Sequence, residues 1–134
     1  PKLHAIYTSL DGKIVKASNP EIKCSFPHSC YPASSHFNMH KSGTLYHSNF
    51  WNWLFSMCAI FSGGKFDHKS GGHFIAWDLS IVAEFPPGSA IYVSSAAVPH
   101  TNSSIVPHER HHSMVFFLPA GLVHYYHNGF LSDK

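Results

Sequence analysis

His47 and Asn49 stand two residues apart, a spacing that puts both side chains on one face of any extended segment. An imidazole nitrogen and an amide oxygen on one face can both point at one ion. His100 comes after a strand-forming stretch, a Pro-Gly turn and a second strand-forming stretch. Small jelly-roll barrels gather metal ligands at such strand ends, where a ligand pocket sits in the barrel mouth. Two histidines and a carboxylate, with the remaining positions open, make the facial triad of non-haem Fe(II) oxygenases. Here the middle member is an amide.

Other residues with metal-ligating or ionic chemistry read less sharply. Cys24, His28, Cys30, His36 and His40 invite a zinc site, and His36 and His40 have the spacing of a zinc-finger histidine pair. The cysteine spacing is too loose and the intervening segment too short for a ββα finger, so an irregular loop is the better reading. His73 and Asp78 lie on opposite faces of a strand unless a bulge intervenes, which leaves His73 as a structural histidine beside Gly71 and Gly72. Trp77 reads as core rather than a base-stacking platform, and Asp67 and Glu84 as surface charges. His108, His111 and His112 could cluster around a metal, but a solvated loop accounts for them more simply. Arg110, at the start of a late strand, offers a guanidinium for bidentate pairing with the carboxylate of a small acid.

Positioning such residues takes many short strands. Residues 71–100 organise the chain: β segments at 73–77 and 79–85, a turn at Pro86-Pro87-Gly88, and a third β segment at 90–95. Before them, 44–47 reads as a strand ending at His47, and 57–61 as a fully buried strand stopped by Gly63 and Gly64. After them, 101–109 is a polar connection, 113–118 a strongly β-forming run, and 119–134 a last strand or short helix with a frayed end. At the other end, 3–7 and 14–15 suggest a hairpin turned by Asp11-Gly12. Residues 16–36, punctuated by Pro20, Pro27 and Pro32, read as a loop with one short strand near 22–26.

The 134 residues suit one domain: an irregular part at 1–36, a barrel core with the metal site at 37–118 and an extension at 119–134. A net charge of +2 is too small to argue for nucleic-acid binding by electrostatics alone, and no apolar run is long enough to cross a bilayer. An odd cysteine count of 3 gives no disulfide framework, so an intracellular compartment, nuclear or cytoplasmic, is expected. The first residue is Pro1 rather than methionine, as in a fragment.

The stretch FDHKSGGHFIAWDL, then EFPPGS, then SAAVPHTN, then an arginine before a β run, resembles the TET/JBP-like 2-oxoglutarate/Fe(II) dioxygenase domain of basidiomycete fungi, which is often transposon-associated. The likeness spans roughly residues 37–117 and is densest over 58–102. It implies a mainly β fold, a double-stranded β-helix of the jelly-roll, cupin-like kind with few short helices, truncated at this length. It also implies Fe(II) and 2-oxoglutarate as cofactors, and DNA or RNA carrying a methylated base such as 5-methylcytosine as the partner to be oxidised. On this resemblance His47 and His100 fall on the two histidine ligands and Asn49 on the aspartate. His111 falls on the arginine that holds 2-oxoglutarate, with Arg110 one position earlier, where a one-residue bulge would return it to that role. Asparagine offers iron no charge, and histidine offers the co-substrate no bidentate fork. Two further readings stand beside the enzyme: a non-catalytic relic or binding module of the same fold, and a cupin-like metal-binding protein.

Overall fold

The computed structural model describes residues 29–39 and 47–131, together with Ser9, Gly12, Lys13 and Phe26. Seven strands form two antiparallel sheets. In chain order they are β1 (Ala33–Met39), β2 (Cys58–Lys65), β3 (Phe74–Ala76), β4 (Ile81–Ala83), β5 (Ala90–Val93), β6 (His100–Asn102) and β7 (Arg110–Phe117). One sheet has the order β1-β7-β2-β5 and the other β4-β3-β6. A helix, α1 (Ala120–His127), follows the last strand. The chain is therefore mainly β, a small jelly-roll-like domain as its sequence suggests.

Alternation builds the core. Along β2, Cys58, Ile60 and Ser62 are buried, and along β7, His111, Ser113 and Val115 are. The opposite sheet contributes Phe74 and Ala76, and Phe85 and Val93 complete the cluster. Each large apolar side chain buried there stabilises the fold by about 1.5–3 kcal/mol. The inner face is graded. Ile60 opposite Val115 is apolar, Ser62 opposite Ser113 is polar, and Gly64 opposite His111 ends the row. Gly64 sits at φ 116°, and a Cβ there would lie 2.1 Å from the Arg110 carbonyl oxygen, so only glycine fits this approach of the two strands.

Residues 47–53 tie the two sheets together. His47 pairs with His100 as an isolated antiparallel bridge, its N–H donating to the His100 carbonyl at 3.3 Å and accepting from the His100 N–H at 3.0 Å. Further on, the Trp53 N–H donates to the Leu118 carbonyl, and the Ala120 N–H to the Trp51 carbonyl, both at 2.9 Å. Buried Asn52 closes this end, its amide donating to Ser95 Oγ at 3.0 Å and to Cys58 Sγ at 3.4 Å. Leu118 and Val123 anchor α1 in a second small cluster with Trp53 and Tyr31.

Several sequence expectations need correction. The strand at 33–39 begins inside the stretch read as a loop, because its pairing with β7 rather than its own composition defines it. β2 continues through Gly63 and Gly64 to Lys65 instead of stopping at them. Trp77 is not core: it opens a 3-10 turn, Trp77–Leu79, and is 52% exposed. That turn, ended by Ser80 at φ 54°, breaks the strand alternation that would have pointed Trp77 inward. Residues 119–134 supply a helix rather than a strand, and His100–Asn102 of the expected polar connection is β6. Gly12 and Lys13 have helical backbone, so the Asp11-Gly12 hairpin does not form. The expected strand positions 3–7, 14–15, 22–25 and 44–46 lie outside the described residues.

Candidate metal centre

The His47–His100 bridge puts two imidazoles side by side, with ring centroids 4.6 Å apart and planes at 52°. Two residues on, the Asn49 N–H donates to the Ser95 carbonyl at 2.9 Å, which turns the segment so that its side chain borders the same space. His47, Asn49 and His100 all line one internal cavity of about 30 Å³ between the sheets, with Ser113 and Asn102 completing its polar wall. A site needs only ~10–15 Å³ to hold one water-sized occupant. This cavity therefore takes an ion or a water or two.

His100 is prepared for a role as a ligand. Its Nδ1 lies 2.8 Å from the Val98 carbonyl oxygen, an acceptor, so Nδ1 carries the proton and Nε2 is left with its lone pair. The ring stacks on Phe74 with centroids 5.5 Å apart and is 4% exposed. Burial pushes its pKa below the ordinary histidine value, nearby His47 pushes the same way, and the Val98 carbonyl opposes both. At neutral pH it is an uncharged imidazole, the form that binds metal.

The residues fit a metal ion through two imidazoles and an amide oxygen. They do not supply the carboxylate of a facial triad. Among the described residues no three His, Cys, Asp or Glu side chains gather around one point.

The two residues expected to seat a carboxylate sit elsewhere. The β2–β7 register runs unbroken from Ala59 opposite Phe116 to Lys65 opposite Arg110, so the bulge expected to swing Arg110 inward is absent. Arg110 is exposed on the outer face. His111 points inward and is 1% exposed. Phe66 and Phe85 meet its ring edge-on at 4.7 and 6.5 Å, and its Nε2 lies 3.4 Å from Ser62 Oγ. Burial lowers its pKa, with a smaller push from His112, so it too is uncharged at neutral pH. A cavity of about 30 Å³ that no described Lys or Arg lines does not fit 2-oxoglutarate, since pockets for small molecules run to roughly 300 Å³ and above.

The remaining candidates are dispersed. His73 Nδ1 contacts Ser103 Oγ at 3.1 Å, while Asp78 lies in the exposed 3-10 turn. His112 faces the opposite side of the sheet from His111. Of the possible zinc ligands, Cys30 packs beside Leu118 and His36 stacks on His112, while Cys24, His28 and His40 lie outside the described residues. Asp67 and Glu84 are exposed, the latter 3.5 Å from His68. Reasoning from sequence missed Ser113 and Asn102 as cavity residues. Asn102 stands two positions beyond His100, the same-face spacing already applied to His47 and Asn49, and so could have been found.

No protein-family model and no curated protein matches the chain. Among solved structures, that of NgTET1 in complex with 5mC DNA is similar in fold, with a TM-score of 0.57 and 14% sequence identity. The likeness covers 84% of this chain and 47% of that one, so the chain spans about half of its structural neighbour. At this identity the likeness shows a TET-like fold. Among the described residues no helix is long and apolar enough to cross a membrane.

Proposed function

We propose that this chain is a TET/JBP-like dioxygenase-fold domain that keeps a metal centre at His47, Asn49 and His100 but does not seat 2-oxoglutarate. Its partner class is DNA or RNA carrying a methylated base such as 5-methylcytosine, a reading supported by the 5mC DNA bound in the NgTET1 structure. The observation that carries the proposal is the convergence of His47, Asn49 and His100 on one cavity between the sheets. Iron(II), when bound, supplies the redox chemistry of non-haem oxygenases. The chain's own part is to hold the ion: His100 through Nε2, with its tautomer fixed by Val98, His47 across the bridge, and Asn49 through a neutral oxygen. The missing ligand charge and the buried His111 make the domain a binding module rather than an efficient oxidase.

A second reading, an active oxidase of methylated bases, is favoured by the retention of both imidazoles in ligand-ready form. Incubation with Fe(II), 2-oxoglutarate, oxygen and a 5-methylcytosine oligonucleotide, followed by mass spectrometry of the nucleosides, separates the two. The proposal expects no oxidised base from the wild type; oxidised base at multiple turnovers establishes the second reading instead.

A further inference from the structure

The outer face of the four-stranded sheet carries a graded row along β2 and β7. Lys65 lies opposite Arg110, Gly63 opposite His112, and Phe61 opposite Met114. Their neighbours Ser62, His111 and Ser113 are buried, so these side chains point away from the core. Two cations directly opposite one another on paired strands repel. The carboxylates beside them are turned to other tasks. Glu109 accepts from the Asp67 N–H at 2.7 Å and the Val106 N–H at 3.3 Å. Asp67 accepts from the Lys69 N–H at 3.1 Å and from Ser70 Oγ at 2.6 Å. Among the described residues no ion pair engages Lys65 or Arg110, and both border an open cleft of about 680 Å³. An ammonium and a guanidinium fixed side by side at such a cleft suit a phosphate.

The row continues with flat surfaces. The His112 ring fills the space that a side chain at Gly63 would take, since a Cβ there would fall 2.4 Å from His112 Nε2. His36 stacks on that ring from β1, with centroids 5.7 Å apart and planes at 21°. Beyond them Phe61 and Met114, 41% and 40% exposed, border an open groove of about 380 Å³. Phe116, farther along, is covered by Phe26 at 5.1 Å, so the open row runs from the cation pair to Phe61 and Met114. At about 3.3 Å per residue that row is roughly 13 Å long.

We infer that this outer face binds single-stranded nucleic acid, with backbone phosphate at Lys65 and Arg110 and bases stacked on the His36–His112 pair and Phe61. Cations and π faces in one row hold single strands without reading their sequence. A duplex keeps its base faces stacked inside and offers the row only phosphate. The inference rests on the proposed function for its choice of nucleic acid as partner, but it uses the side of the sheet opposite the metal centre.

The test is fluorescence anisotropy of a labelled, mixed-sequence single-stranded DNA titrated with the full chain at several salt concentrations. Lys65→Gln with Arg110→Gln should flatten the slope of log affinity against log salt by about 1.4, from about 0.7 per released phosphate contact. Phe61→Ala should weaken binding about fivefold or more with the slope unchanged. An unchanged slope in the double variant, or wild-type binding to duplex as tight as to single strand, overturns the inference. Co(II) absorption, reporting the His47–His100 centre, is the parallel measurement and should not respond to these outer-face substitutions. A protein that binds Co(II) but no oligonucleotide refutes the outer face and leaves the metal centre standing. One that binds single strands in the predicted manner but no Co(II) does the reverse.

Discussion

His100 and His111 both point into the space between the sheets, both are almost fully buried, and burial lowers the pKa of both. Their surroundings divide them. His100 is held by a carbonyl at Nδ1, faces a second imidazole and borders a cavity. His111 is closed in by the edges of Phe66 and Phe85, with a long contact to Ser62 as its polar partner. An imidazole becomes a ligand when one nitrogen is anchored and the other opens onto space. His100 meets both conditions and His111 meets neither. The same fold thus preserves one half of a dioxygenase-like centre and fills in the other.

Substitutions can break or sharpen this contrast. The largest effect is expected from His111→Arg, which forces a permanent cation into a site that is 1% exposed. It should cost about 3–5 kcal/mol of unfolding free energy, read from urea melts, because no described carboxylate compensates it. A stable His111→Arg protein would mean that this end of the barrel opens to solvent or ligand. Next, His100→Ala should weaken Co(II) or Fe(II) binding by more than about 100-fold, since loss of a ligand exceeds the ~10–100-fold cost of losing a ligand's supporting hydrogen bond. Undiminished binding, followed by equilibrium dialysis, would place the metal elsewhere.

Asn49→Asp works in the opposite direction and is smaller. It adds a carboxylate to the cavity wall and should raise metal affinity about tenfold or more, as an attraction of ~1.4 kcal/mol suffices for that factor. The smallest effect is that of His111→Leu, expected within about 1 kcal/mol of wild type at neutral pH, because it exchanges a weakly bonded buried imidazole for an apolar group. Its signature lies in pH. The folded pKa of His111 is depressed, so the unfolded chain binds the extra proton first as pH falls. Wild-type stability is then full above about pH 6.5 and declines below it, by at most ~1.4 kcal/mol per pH unit for this group. Thermal melts between neutral pH and mild acid should show a shallower decline in His111→Leu.

Much of the metal centre was legible before the fold. The two-residue spacing of His47 and Asn49 needs only strand alternation, and His100 follows a turn whose prolines and glycine announce it. Gly88 at φ 86° and the Ser89 N–H donating to the Pro86 carbonyl at 3.2 Å show that turn formed. What stayed hidden depends on partners distant in sequence. The strand at 33–39 exists through pairing with β7, and Trp77 faces solvent because three residues of 3-10 turn shift the alternation. Arg110 and His111 differ by one residue, and only the unbroken register decides which of them points inward. The buried Asn52–Ser95–Cys58 network escaped notice since none of its members carries a sequence pattern.

The most direct test is anaerobic titration of the protein with Fe(II), then with 2-oxoglutarate, watching for metal-to-ligand charge-transfer absorption. The account predicts that Fe(II) binds, that binding is lost in His100→Ala, and that no charge-transfer band develops as 2-oxoglutarate is added. A band that grows and saturates would contradict it, showing that the cavity opens to admit the co-substrate and that the centre is complete without arginine or aspartate.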